Sequence, residues 1–121
     1  YPGRVRIFGW TRKVPQFLNS HHLVVGKAGG ATVHEAIAAR CPMLIHHLVP
    51  GQEEGNLILL KTIGGGALAP TPEALSHQLA DILADHATRW KSMKNALACH
   101  GRNAGATASA GFIMNQIGEG R

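Results

Sequence analysis

Two short stretches hold most of the residues whose types and spacing can do binding chemistry. The first is Lys27-Ala28-Gly29-Gly30-Ala31-Thr32, followed by Val33-His34-Glu35. Glycine lets backbone approach a ligand closely, and the free N–H groups at a helix start, with the positive end of its dipole, suit a phosphate or diphosphate. A carboxylate one turn in, Glu35, is able to accept two hydrogen bonds from a vicinal diol such as a nucleotide ribose. The same spacing also has a purely structural reading. Thr32-x-x-Glu35 is a capping box, in which the threonine caps the helix and the glutamate returns to the threonine N–H. Spacing alone leaves both readings open.

The second stretch is VPGQEEGN, Val49 to Asn56. Gln52, Glu53, Glu54 and Asn56 offer amide and carboxylate groups to sugar hydroxyls, but an acidic, amide-rich first helical turn favoured by the dipole has the same composition. Other motifs fail. The glycine pair matches neither GxGxxG nor GxxxxGK[ST], so neither a dinucleotide nor an ATP site is licensed. His34-Glu35 begins like HExxH, yet the fifth position is Ala38, which excludes a zinc protease. The eight histidines show no carboxylate or cysteine recurring at ligand spacing, and no metal site is expected. Gly64-Gly65-Gly66 follows a helix and precedes a short strand, where a C-cap and turn explain it better than a phosphate loop.

The elements that must position these residues follow from apolar runs and punctuation. Val5 to Gly9, His22 to Gly26, Pro42 to His47 and Gly66 to Pro70 read as short strands. Helices are expected near Pro15, over Thr32 to Arg40, from Glu53 to a stop at Gly64, and from Pro72 onward. The remainder, about 86–118, reads as helical with an interruption near Gly101 to Gly105. Continuous apolar strands alternating with helices predict an α/β fold, a Rossmann-like parallel sheet flanked by helices on both faces. Ligands of such sheets lie beyond the carboxyl ends of the strands, which singles out the loops Trp10 to Val14, Lys27 to Thr32 and Leu48 to Glu53.

At 121 residues, 45% apolar and 16% charged, the chain has the composition of one globular domain rather than a disordered segment. Its net charge of +5 and pI near 9.8 permit attraction to anions without choosing among nucleotides, acidic lipids and nucleic acid. Arg89, Lys91, Lys94 and Arg102 around Trp90 could form a membrane-facing basic patch or simply a solvated helix face. Scattered basic residues without an RNP-type aromatic pattern or a recognition helix argue against nucleic acid as a partner. Cys41 and Cys99 form no CxxC pair, so reduced thiols in a cytoplasmic setting are expected. No signal sequence or bilayer-spanning run is present, and any membrane contact would be peripheral, at the inner face. The opening YPGRVRIFGW lacks an initiator methionine and leads directly into a strand-like run, so a fragment of a longer protein is expected.

Together, the two loops resemble a known signature. KAGGATVHEAIAARCPMLIHHLVPGQEEGN is similar to the donor-binding signature of GT-B glycosyltransferases, in the branch of monogalactosyldiacylglycerol synthases, processive diacylglycerol glucosyltransferases and the lipid II N-acetylglucosaminyltransferase. The resemblance is dense from about Gly9 to Gly66, and its PGQE element is more typical of the glycolipid synthases. It implies a single UDP-sugar donor-binding domain over residues 1–121, part of a larger two-domain enzyme. Glu35 would hold the ribose hydroxyls, and Gly29, Gly30 and Thr32 would face the diphosphate. Gln52 and Glu53 would contact the donor sugar, with Gly51 shaping the loop, while Trp10 and Thr11 fall where the family's backbone meets uracil. No catalytic residue is expected here, because the family's base and acceptor site lie in an N-terminal domain.

The implied reaction moves a hexose from UDP to a lipid hydroxyl of diacylglycerol type, needing no metal or other cofactor because helix N–H groups ease departure of the diphosphate. The rival readings are an N-acetylglucosaminyltransferase of lipid II or lipopolysaccharide type, and a non-catalytic nucleotide-binding module. Two departures from the pattern stand out. Arg40-Cys41 occupies the place where a glycine commonly precedes the proline, which should alter the helix C-cap, and His22 stands where many relatives carry aspartate.

Overall fold

A computed structural model describes residues 3–101 and 105–119. Three strands, β1 (Val24–Lys27), β2 (Met43–His47) and β3 (Gly66–Leu68), form a parallel sheet in the order β1-β2-β3. Five helices accompany them among the described residues: α1 (Val14–Ser20), α2 (Gly30–Ala38), α3 (Glu54–Ile63), α4 (Pro72–His100) and α5 (Gly105–Glu119). The expected α/β, Rossmann-like arrangement is what the chain adopts.

The central strand explains the layering. Met43, Leu44 and Ile45 are fully buried, as a parallel strand covered on both faces requires. Met43 and Ile45 pack with Val33, Ala36 and Ile37 of α2 and Leu60 of α3 on one face. Leu44 turns to the other face and meets Ile82 and Met93 of α4. Val33, Ala36 and Ile37 are spaced as one helical stripe, which is why α2 lies flat on the sheet.

Helix ends follow local chemistry. Pro72 opens α4 behind Thr71, whose hydroxyl accepts the Ala74 N–H at 3.1 Å. Gly64, at φ +84°, closes α3, with Gly65 N–H bonded to Leu60 O and Gly64 N–H to Lys61 O, a Schellman arrangement and the C-cap expected there. Gly65 and Gly66 have a further role, because a Cβ on Gly66 would collide with the Met43 carbonyl and Leu60, and one on Gly65 with Leu97. α2 closes in the same manner: Cys41 N–H reaches Ala36 O and Arg40 N–H reaches Ile37 O. There the left-handed residue is Arg40, at φ +54°, rather than glycine. The departure noted in the sequence thus falls on the one cap position that asks for glycine.

Several boundaries differ from expectation. Val5 to Gly9 joins no ladder, and Val5, Ile7 and Phe8 are exposed, since an apolar run becomes a strand only with a partner edge beside it. α2 begins at Gly30, two residues before Thr32. α4 is broken at Ala84 to Ala87, where Asp85, His86 and Ala87 are all left-handed, so its arms lie on either side of the break. The interruption expected near Gly101 to Gly105 lies partly outside the described residues, as does Arg102. Trp90 is not a free membrane anchor: its indole N–H donates to the His22 carbonyl at 2.7 Å and its ring packs against the α4 core. No described helix is long and apolar enough to cross a membrane.

Candidate functional site

β1 and β2 are neighbours, so their carboxyl ends deliver the two candidate loops side by side. The register slips between Gly26 and Lys27, where Lys27 pairs with His47 instead of His46. The extra residue is His46 on β2, where the strand's in–out alternation breaks and His46 and His47 are both exposed. Lys27 Nζ reaches Glu53 Oε1 at 2.9 Å, and the Val49 N–H donates to Glu53 Oε2 at 2.8 Å. Glu53 is only 7% exposed, and it sits at the entry to α3 with one ionic and one backbone partner. The Lys27 ammonium, first as hydrogen-bond donor and then with the Val49 N–H, holds the Glu53 carboxyl below its usual range, against the opposing effect of burial.

A second link joins the loops. Asn56, in the first turn of α3, donates its side-chain N–H to the Ala28 carbonyl at 2.9 Å. Ala28 is fully buried, and its own N–H is bonded to the His47 carbonyl at 3.0 Å. Gly29 then serves as the N-cap of α2, at φ −63° and ψ 140°, with its carbonyl accepting the Val33 N–H. No side chain caps this helix. The capping box therefore does not form: hydrogen bonding starts at Gly29, Thr32 already lies inside the first turn, and Glu35 is exposed.

The glycine pair is not demanded by the fold. Gly29 has a backbone conformation open to any residue, and a Cβ there would stand 3.8 Å from Lys27 Cε and 4.0 Å from Glu53 Oε1. A Cβ on Gly30 would lie 3.7 Å from Asn56 Nδ2, an ordinary contact. The bare backbone leaves room for a group coming close to the N–H groups of α2. Gly51 is different, since its φ of +76° favours glycine for the turn itself.

Of the residues expected at the site, Gly29, Gly30 and Glu53 are brought together, with Gly51 and Gln52 in the turn leading to Glu53. Gln52 is exposed, and its N–H reaches the Val49 carbonyl at 3.3 Å. Thr32 is half-buried, close behind Gly26. Glu35 lies further along α2, lining a recess of about 280 Å³ with Pro15, Leu18 and Asn19 of α1. Trp10, 86% exposed, carries the Arg12 guanidinium 5.5 Å from its ring, and the Thr11 hydroxyl accepts the Lys13 N–H at 3.1 Å. No described hydrogen bond joins Trp10 or Thr11 to the cluster.

Two residues have roles that motif reading did not give them. Lys27 supplies the partner of Glu53, and Asn56 spends its amide on the Ala28 carbonyl instead of facing outward with Gln52. A cation at a strand exit and a carboxylate in the loop from the next strand were the legible signal for the pair. Nothing local in the sequence announces the Asn56 link, which spans 28 positions. Among the described residues no group of three or more His, Cys, Asp or Glu is placed to hold a metal ion.

No protein-family model matches the chain. It is 34% identical over 93 residues to the processive diacylglycerol beta-glucosyltransferase of Staphylococcus saprophyticus, an alignment covering 77% of this chain and 24% of that protein. The corresponding protein of Bacillus licheniformis is 26% identical over 83% of this chain and 26% of its own length. Monogalactosyldiacylglycerol synthase 3, chloroplastic, of Arabidopsis thaliana is 27% identical over 77% of this chain and 20% of its own length. The chain thus spans about a quarter of the length of the curated relatives it matches. It is related to these proteins over most of its described length, as the resemblance of its two loops implies.

Proposed function

We propose that this chain, a relative of part of the diacylglycerol glycosyltransferases, is the UDP-sugar-binding portion of a hexosyltransferase acting on a lipid acceptor of diacylglycerol type. The observation that carries the proposal is the convergence of an uncapped helix start, two sterically dispensable glycines and an ion-paired loop at the carboxyl ends of β1 and β2. Relatives named for diacylglycerol glucosyltransfer and galactolipid synthesis support the class of reaction.

The diphosphate lies across the start of α2. The N–H groups of Gly29 and Gly30 and the Thr32 hydroxyl face it, and the helix dipole eases its departure as negative charge develops on the leaving UDP. Glu35, freed from any capping duty, accepts the ribose hydroxyls from the recess between α1 and α2. Gln52 and Glu53 meet hydroxyls of the donor sugar, with Gly51 setting the turn. Glu53 keeps acceptor capacity beyond its bonds to Lys27 and Val49, since a carboxylate offers about four lone-pair sites. Its depressed pKa keeps it ionised and suits binding, not proton transfer. Trp10 and Thr11 provide the backbone against uracil. The acceptor and the base that deprotonates it belong to another part of the enzyme, no metal is required, and contact with the membrane is peripheral.

Calorimetric titration of UDP into the protein and into Glu35→Gln, with ADP as the control nucleotide, tests this. Saturable UDP binding, weakened at least tenfold by the substitution and absent for ADP, is expected. Equal UDP affinity in the two proteins would remove Glu35 from the ribose site, and a folded protein indifferent to UDP would refute the donor site.

A further inference from the structure

We infer that Asn56 is a positioning residue that aims the Gly29 N–H at the donor's diphosphate; the inference rests on the donor-site reading above. A peptide unit is planar, and in its trans form the carbonyl and the following N–H point in opposite directions. Fixing one therefore fixes the other. The Ala28–Gly29 peptide is gripped at its carbonyl by Asn56 Nδ2 at 2.9 Å. Its neighbours are fixed as well, with Ala28 N–H held by the His47 carbonyl and Gly29 carbonyl by the Val33 N–H.

Within this fully bonded run the Gly29 N–H has no partner among the described hydrogen bonds, although Gly29 is half-buried. The first N–H groups of a helix have no intrahelical partner and are met by a cap, by water or by a ligand. The chain retains this one and turns it away from α3, because α3 holds the opposite end of the same peptide. Without the Asn56 amide, the Ala28–Gly29 peptide is free to rotate between an outward N–H and one swung toward the space Asn56 had filled. The diphosphate would then have to select the outward state, and its apparent affinity would fall by the fraction of time that state is lost.

The consequence is specific to phosphate-bearing ligands. Asn56 touches neither the ribose recess at Glu35 nor the segment holding Trp10 and Thr11, so loss of its amide should spare recognition of the nucleoside. A role confined to stability would weaken every ligand alike.

The test compares the wild type with Asn56→Leu, which keeps the branched shape and the absence of charge but loses the donor, and with Asn56→Ala. UDP and uridine affinities are measured by titration, and the Gly29 amide proton is followed by NMR on adding UDP. The expected result is a tenfold or greater loss of UDP affinity in each variant with uridine affinity unchanged. The downfield movement of the Gly29 amide seen in the wild type should disappear. If Asn56→Ala fails to fold, Asn56→Leu alone decides. Variants that bind UDP as the wild type does, with the same Gly29 shift, would overturn the inference while leaving the donor site standing. Equal losses for UDP and uridine would overturn it in favour of a merely structural role. Failure of the wild type itself to bind UDP would instead bring down the donor-site reading.

Discussion

Gly29→Ala separates what the fold needs from what the ligand needs. At φ −63° and ψ 140°, alanine is adopted without strain, and its methyl would stand 3.8 Å from Lys27 Cε and 4.0 Å from Glu53 Oε1. Two opposing effects act on stability. Restricting the unfolded chain stabilises the protein by about 0.4–1 kcal/mol. Replacing glycine with alanine at an N-cap costs roughly 0.5–1 kcal/mol. They offset, and a net change within about 0.5 kcal/mol is expected in urea denaturation. UDP binding should respond quite differently, because the methyl occupies the space through which a phosphate oxygen approaches the Gly29 N–H. A loss of ten- to a hundredfold, about 1.4–2.8 kcal/mol, is expected by calorimetry. Gly66→Ala is the contrasting control: its methyl meets the Met43 carbonyl and Leu60, and overpacking of this kind costs about 1–3 kcal/mol. A Gly29→Ala protein that binds UDP as tightly as the wild type would refute the close approach, and one that unfolds would refute the claim that the fold does not need this glycine.

Two further outcomes are expected. Arg40→Gly, at the left-handed closing position of α2, should raise stability by roughly 1 kcal/mol, read as a higher urea midpoint without a change in slope; an unchanged or lower midpoint would contradict the cap assignment. The Glu53 carboxyl has a folded pKa below its ordinary value of 4.5, so its contribution is complete above that value and is withdrawn as pH falls through the lower folded one. Lys27→Met should therefore be less stable than the wild type at pH 7, with the difference closing toward pH 3. A gap independent of pH would show that the ion pair is not its cause.

The sheet was legible in the sequence because its strands are apolar without interruption. PMLIHH reads as a strand, and the structure buries Met43, Leu44 and Ile45 completely while leaving His46 and His47 exposed. The two candidate loops were legible for the same reason, since fixing the strand ends fixes the loops. Val5 to Gly9 misled because β structure depends on a neighbour that a run of residues does not reveal. Thr32 misled in another way: its capping signature is real chemistry, but the helix begins two residues earlier, where Gly29 and the buried Ala28 set the turn. The Lys27–Glu53 pair left only the trace of opposite charges at neighbouring strand exits, and the Asn56 link left none, because no local period records a contact across loops.

The order β1-β2-β3 is the same in sequence and in space, so each crossover joins immediate neighbours. The residues that tie the two loops together, Lys27 to Asn56, consequently fall within one short span of chain, and the Asn56–Ala28 bond closes a loop of only 28 positions. Closure entropy rises slowly with length, about 0.6 kcal/mol for each doubling, so such a span pays little to come together. The central strand, α2 and both candidate loops lie inside this one segment. The two candidate loops are therefore tied to one another within a single stretch of chain, from β1 to the first turn of α3.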